Sequence, residues 1–249
     1  MRKTFIVLQR DFKELRQTKS FLIMCVISAV VTIAAALSLA IVMTGIEWLL
    51  EEAARPLFML IIGLIVYFLP LIIILAFIWA FSSLPVIKEK ANGNITSLLV
   101  TPLKPKEIWI GKSLAIFLPG YVISIVSILV VLLVVNIIMA VQTPGDYLLS
   151  APLLLTGLIV NPLLFFGLLL FIILFSLANN PDIAIAPSFI LGFGLMLGIP
   201  LGVATGFLDL ASWSFFLWYL AGTIIVLIIV FFMSRMLTNE NIVLSGTGN

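Results

Sequence analysis

Residues 147–181 read YLLSAPLLLTGLIVNPLLFFGLLLFIILFSLANNP, 35 positions without a charged side chain. An α-helix rises about 1.5 Å per residue, so about 20 apolar residues cross the hydrocarbon core of a bilayer. This stretch is longer than that, and it has five companions. Charges are also absent from 20–46, 56–87, 113–145, 183–208 and 210–234. The chain of 249 residues is 63% hydrophobic and 10% charged, where soluble domains carry about 25% charge. The reading is an all-α integral membrane protein, one transmembrane domain over 1–249 with six transmembrane helices. Trimmed to helix ends, the spans are approximately 21–43, 57–86, 114–140, 152–177, 183–206 and 214–234. The first run is too long for the apolar core of a signal peptide, about 7–15 residues, so it is expected to be retained despite Ala34, Ala35 and Ala36.

The charges orient this bundle. Arg2, Lys3, Arg10, Lys13, Arg16 and Lys19 precede span one, Lys88, Lys90, Lys104, Lys106 and Lys112 lie between spans two and three, and Arg235 follows span six. Alternating helices bring all of these to one side and leave Arg55 on the other with Glu47, Glu51, Glu52, Asp146 and Asp209. The Lys/Arg excess then puts both termini in the cytoplasm of a multi-pass cell-membrane protein. Trp48, Trp79, Trp109, Trp213, Trp218 and Tyr147 mostly fall near span ends, where they read as interfacial anchors. Pro70, Pro187 and Pro200 each remove a backbone donor and are expected to kink spans two and five.

The same inventory excludes chemistries. With no His and a single Cys, Cys25, the chain cannot build His-based acid–base catalysis, a thiolate metal cluster or an internal disulfide. A net charge of +2 gives no reason to expect nucleic acid. Gly111-Lys112-Ser113 imitates the end of a phosphate-binding loop, but the first glycine that loop requires falls on Lys106 and no strand precedes it. The chain is therefore not expected to hydrolyse ATP. No charge lies deep in a span, which argues against an ion-coupled carrier, and no paired acids, Ser-Lys pair or metal ligands support an intramembrane enzyme.

Two segments outside the spans carry pattern. Residues 3–19, KTFIVLQRDFKELRQTK, set Phe5, Leu8, Phe12 and Leu15 at three- and four-residue steps among charges, an amphipathic interfacial helix over 1–20. Residues 88–112, KEKANGNITSLLVTPLKPKEIWIGK, form the longest cytoplasmic loop. Gly93 breaks the chain, Ile95, Leu98 and Leu99 make one apolar face of a two-turn helix, Pro102 and Pro105 stop it, and Glu107 starts the next helix. Such a short, bounded helix between two long spans suits a rigid contact with a partner.

In order, Glu89-Lys90, Gly93, Leu98-Leu99, Thr101-Pro102, Lys106-Glu107-Ile108 and Gly111-Lys112 resemble the cytoplasmic loop of permease subunits in the type-2 ATP-binding-cassette (ABC) exporter family. The position between spans two and three, after an amphipathic N-terminal elbow helix, is similar too. The resemblance implies a coupling helix between spans two and three that rests on an ATPase subunit through Glu89, Gly93, Leu98, Leu99, Pro102 and Glu107. It further implies two ABC ATPase copies that bind ATP and Mg, no cofactor in this chain, and a second permease copy or a related permease. The function implied is export of a substrate, with an apolar pathway suited to a hydrophobic or amphipathic drug, lipid or peptide. Service to copper or haem enzyme maturation is the alternative within the family, and a passive channel or scaffold the alternative outside it.

Within the spans, Gly194, Gly198, Gly202 and Gly206 recur every four residues, a ridge for close helix packing; the resemblance extends it to a dimer interface. Pro200 is expected to mark a break into a short re-entrant piece before Asp209. Asn136 and Asn161 are the candidate pathway contacts, with interhelical hydrogen bonding as the plainer reading of each.

Overall fold

The computed structural model describes residues 2–45, 55–82, 103–142, 150–178 and 186–237. Among these the elements are α1 (Arg2–Arg16), α2 (Lys19–Gly45), α3 (Arg55–Phe81), α4 (Pro105–Gln142), α5 (Ala151–Leu155), a π-helical turn (Thr156–Val160), α6 (Asn161–Ala178), α7 (Ala186–Ala204), α8 (Trp213–Met233) and a 3-10 turn (Ser234–Met236), with no strand. Six helices are long and apolar enough to cross a membrane, the fourth running through α5, the π turn and α6. The chain is a multi-pass membrane protein. In lipid each backbone N–H and C=O needs a partner within the protein, and a helix supplies it locally, so β-branched runs such as Ile72-Ile73-Ile74 stay helical.

Burial separates the spans into a centre and a ring. In spans two and four, 67% and 61% of the apolar window is buried, against 17–28% in the other four. Tyr67, Leu71, Ile74, Phe77 and Ile78 of span two meet Phe165, Leu169, Ile172 and Ile173 of span four in one apolar core. The outward faces are as apolar as the inward ones: Leu22, Val26 and Ile41 of span one, Val122 and Leu133 of span three, and Leu217 and Phe232 of span six are all exposed. A soluble protein could not keep such faces in water, whereas lipid tails solvate them.

Interhelical hydrogen bonds fix which ends lie together. Trp109 near the start of span three donates its indole N–H to the Leu170 carbonyl in span four at 2.7 Å, and Trp79 near the end of span two donates to the Ser188 hydroxyl in span five at 3.3 Å. Lys112 reaches Asp11 of α1 at 3.1 Å. These contacts gather one basic end of the bundle.

The helix ends differ from those expected. The helix of span three begins at Pro105, two residues before the start expected at Glu107 and ahead of the membrane entry expected near 114, because proline at the first helical position costs no hydrogen bond and the Glu107 carboxylate accepts from the Lys104 N–H at 2.9 Å. Pro187 sits in the first turn of α7, where its missing donor is also harmless, and Pro119, inside span three, is a further interior proline beside Pro70 and Pro200. The helix passes through Pro200 to Ala204 without the expected break, and residues 205–212 form a turn and not a re-entrant helix. Ser212 caps span six by accepting from the Phe215 N–H at 3.2 Å. Trp79 and Trp109 prove to be packing residues: Trp79 stacks on Phe189 at 4.4 Å, and Trp109 is buried. Trp213 and Trp218 are exposed, as anchors require, while Trp48 and Tyr147 lie outside the described residues.

Candidate functional site

Of the residues expected to couple to an ATPase, Glu89, Gly93, Leu98, Leu99 and Pro102 lie outside the described residues, as does the whole of the two-turn helix expected within 88–102. What is described is the pair of helices on which that segment hangs. Span two ends at Phe81 and span three starts at Pro105; they pack on each other through Phe77, against which a Cβ on Gly120 would stand at 3.1 Å. Phe21 of span one closes the same cluster, edge-on to Phe77 at 6.1 Å. Glu107 is spent locally as the cap of span three.

The elbow helix α1 is fastened to this base. Val7 and Leu15 are buried, and the side chain of Asp11 is only 13% exposed. These residues, one and two turns apart, form the packed stripe, which shares only Leu15 with the expected apolar stripe of Phe5, Leu8, Phe12 and Leu15. Phe5 is exposed, and of those four only Leu15 is fully buried. The closest approach is at Gly111, where a Cβ would lie 2.8 Å from Val7 and 3.1 Å from the Thr4 carbonyl oxygen. Beside it, Lys112 and Asp11 pair with side-chain exposures of 5% and 13%, and Arg10 holds the second side of Asp11 at 2.8 Å. Thr18 stiffens the joint to span one, its hydroxyl donating to the Leu15 carbonyl at 2.7 Å and accepting from the Phe21 N–H at 3.2 Å.

A second polar assembly sits inside the apolar length of the bundle. Asn161 is fully buried; its amide N–H donates to the Tyr67 carbonyl at 3.0 Å and its carbonyl accepts from the Tyr219 hydroxyl at 2.6 Å. Tyr67 donates to Tyr219 at 3.3 Å. The local sequence explains why polar groups are needed here. Pro70 has no N–H for the Val66 carbonyl four residues earlier, and that oxygen points at the backbone of Gly157, 2.7 Å from where a Cβ would stand. Pro162 likewise frees the Leu158 carbonyl, which the Tyr121 hydroxyl meets at 3.3 Å. The π turn at Thr156–Val160 lies between, where Asn161 N–H bonds the Thr156 carbonyl. Two proline-interrupted spans thus face each other, and Asn161, Tyr67, Tyr219 and Tyr121 tie spans two, three, four and six together. With both ends of its amide engaged, Asn161 is an interhelical tie in this conformation. Asn136 is exposed and donates to the Leu132 carbonyl of its own helix at 2.9 Å. Thr32 and Ser127 add a tie between spans one and three at 2.7 Å.

The glycine ridge divides by role. Gly194 and Gly198 face open space. Gly202 makes room for the side chain of Leu208, and Gly206, at φ +72°, ends the helix in the left-handed region that glycine adopts without cost. Within span five it is Gly192, outside that period, that packs against another span, its Cβ position lying 2.7 Å from Leu75.

No protein-family model matches the chain, and neither does any curated protein or solved structure. The likeness to type-2 ABC permeases accordingly rests on the pattern of residues 89–112 and the order of the elements.

Proposed function

We propose that this chain is the membrane-spanning permease subunit of a type-2 ABC exporter, with both termini cytoplasmic, driven by a separate ATPase. Residues 88–102 form the coupling segment, and two permease copies build the pathway. The observation that carries the reading is the rigid base under that segment. Spans two and three emerge packed on each other, α1 is locked to the start of span three at Gly111 and by Asp11–Lys112, and Glu107 caps the helix that leaves the loop. A push on a loop mounted this way moves three elements together, as ATP-driven domain closure requires. A passive channel has no need of such a base. The open edge of Gly194 and Gly198 suits close packing by the second copy.

The test is co-purification from native membranes. Tagged chain should bring down an ATP-hydrolysing subunit, and deletion of 95–101 should lose it while membrane insertion persists. Absence of any ATPase with the intact chain, or its retention by the deletion, contradicts the proposal.

A further inference from the structure

The outward side of α1 is not used by the contacts that fasten it. Opposite the buried stripe of Val7, Asp11 and Leu15 run residues 6, 9, 13 and 16, which recur at steps of three and four, with Phe5 at their edge. Lys13 and Arg16 are exposed on that side, and Lys19 is exposed one residue beyond the joint. Phe5 and Ile6 are 55% and 58% exposed on the same helix, large apolar side chains that water does not favour. Directly after Lys19 the lipid-facing surface of span one begins with Leu22 and Ile23, both exposed. Cations therefore stand at the boundary of the apolar band, with apolar side chains among them.

The charge at this end is one-sided. Lys104, Lys106 and Arg235 are also exposed here, and Arg235 lies over the Phe232 ring at 5.2 Å, a cation resting on the rim of the apolar surface. Among the described carboxylates at this end, Asp11 is turned inward to Lys112, Glu107 caps span three, and Glu14 is exposed. The opposite end carries exposed Asp209.

We infer that the outward face of α1 and the first turn of span one form a binding strip for anionic phospholipid, with Lys13, Arg16 and Lys19 holding the headgroup phosphate and Phe5 and Ile6 entering the acyl boundary. Zwitterionic headgroups carry the same phosphate with a compensating cation and bind less well. The selectivity is independent of the exporter reading, since it needs only the helix, its cations and a bilayer. Because α1 is locked to span three, lipid held here bears on the base of the 88–102 segment.

The test uses the full chain in detergent, with retained lipid counted by native mass spectrometry after addition of phosphatidylglycerol or phosphatidylcholine. The wild type should retain phosphatidylglycerol preferentially. Lys13→Gln with Arg16→Gln should lower that retention roughly 25-fold, at about fivefold for each of the two cations near an anionic surface. The charge-matched pair Lys104→Gln with Lys106→Gln should keep it, as should Lys13→Arg with Arg16→Lys, which excludes misfolding as the cause. Millimolar inorganic phosphate should not displace the lipid, because it brings no chains for Phe5 and Ile6. The inference is overturned by no headgroup preference in the wild type, by equal loss in both Gln pairs, or by displacement with inorganic phosphate. It is also overturned if the Lys13/Arg16 pair keeps phosphatidylglycerol but sheds a bound protein, which would assign the strip to that partner.

Discussion

Gly111 of span three and Val7 of α1 approach so closely that a methyl group on Gly111 would lie 2.8 Å from both Cβ and Cγ1 of Val7. The Thr4 carbonyl on the other flank leaves no direction in which to yield. Gly111→Ala should therefore destabilise by about 1–3 kcal/mol, the usual cost of overpacking. Trypsin should then cut more readily after Lys13 and Arg16 as α1 lifts. Val7→Ala, which removes Cγ1 but leaves Cβ, should restore only part of the loss; full restoration would place the clash elsewhere.

The ion pair next to it should respond asymmetrically. Asp11→Leu takes from the Lys112 ammonium, 5% exposed, the carboxylate that holds it at 3.1 Å, and breaking a buried pair costs up to about 3–5 kcal/mol. Lys112→Met leaves Asp11 still held by Arg10 at 2.8 Å and should cost distinctly less. Thermal unfolding in micelles orders the two, and the reverse order would mean that Arg10 does not hold Asp11.

Loss of the Asn161 tie should be modest in size and strongly coupled. Hydrogen bonds within membrane bundles are worth about 0.6 kcal/mol on average and at most about 1.7. Asn161→Leu removes two of them, and Tyr219→Phe removes one of the same two together with the bond from the Tyr67 hydroxyl. The double variant should then be less destabilised than the sum of the singles in unfolding titrations with denaturing detergent. Strict additivity would show that the two side chains do not act as one unit.

Along the glycine ridge, stability and self-association should separate. Gly198→Leu faces open space and should leave the unfolding midpoint unchanged while reducing cross-linked dimer in vesicles. Gly206→Ala, at φ +72°, should lower stability by about 1–2 kcal/mol without touching association. Dimer yield unaffected by Gly198→Leu removes that edge from the interface.

How far the chain can be read without its structure varies with the range of the interaction. Six spans follow from charge placement because moving any of these charges into lipid is so costly that few positions are ambiguous. The start of span three is local too: the prolines and Glu107 mark the helix start to within two residues of Pro105, while the charges at Lys106, Glu107 and Lys112 set the expected membrane entry further along. The phase of α1 is different in kind. Its apolar positions point to Phe5, Leu8, Phe12 and Leu15, but the packed stripe contains Asp11, whose partners are the neighbouring Arg10 and Lys112, 101 positions later. Asn161 could be singled out as a polar residue beside a proline in a span. Its partners at Tyr67 and Tyr219, 94 and 58 positions away, are legible only once the helices are assembled. Gly202 and Gly206 fit a four-residue period for reasons of local chain reversal and not of ridge packing.

If residues 88–102 transmit ATP-driven motion, Glu89→Ala and Gly93→Pro should permit ATP hydrolysis by the associated subunit while lowering transport, with insertion intact. Transport at the wild-type rate in both variants would remove these two residues from the coupling.

Contact between residues 88–102 and a separate ATPase can be captured with a single cross-link. Cys25 is the only cysteine, so Cys25→Ser with Leu98→Cys places one thiol in the coupling segment. Treatment of native membranes with a short thiol-to-amine cross-linker is predicted to join the chain to a nucleotide-hydrolysing protein, and not to do so when the thiol is instead placed by Ala211→Cys, at an exposed position on the opposite end. Adducts confined to a second copy of this chain, or none to any ATPase, would contradict the account.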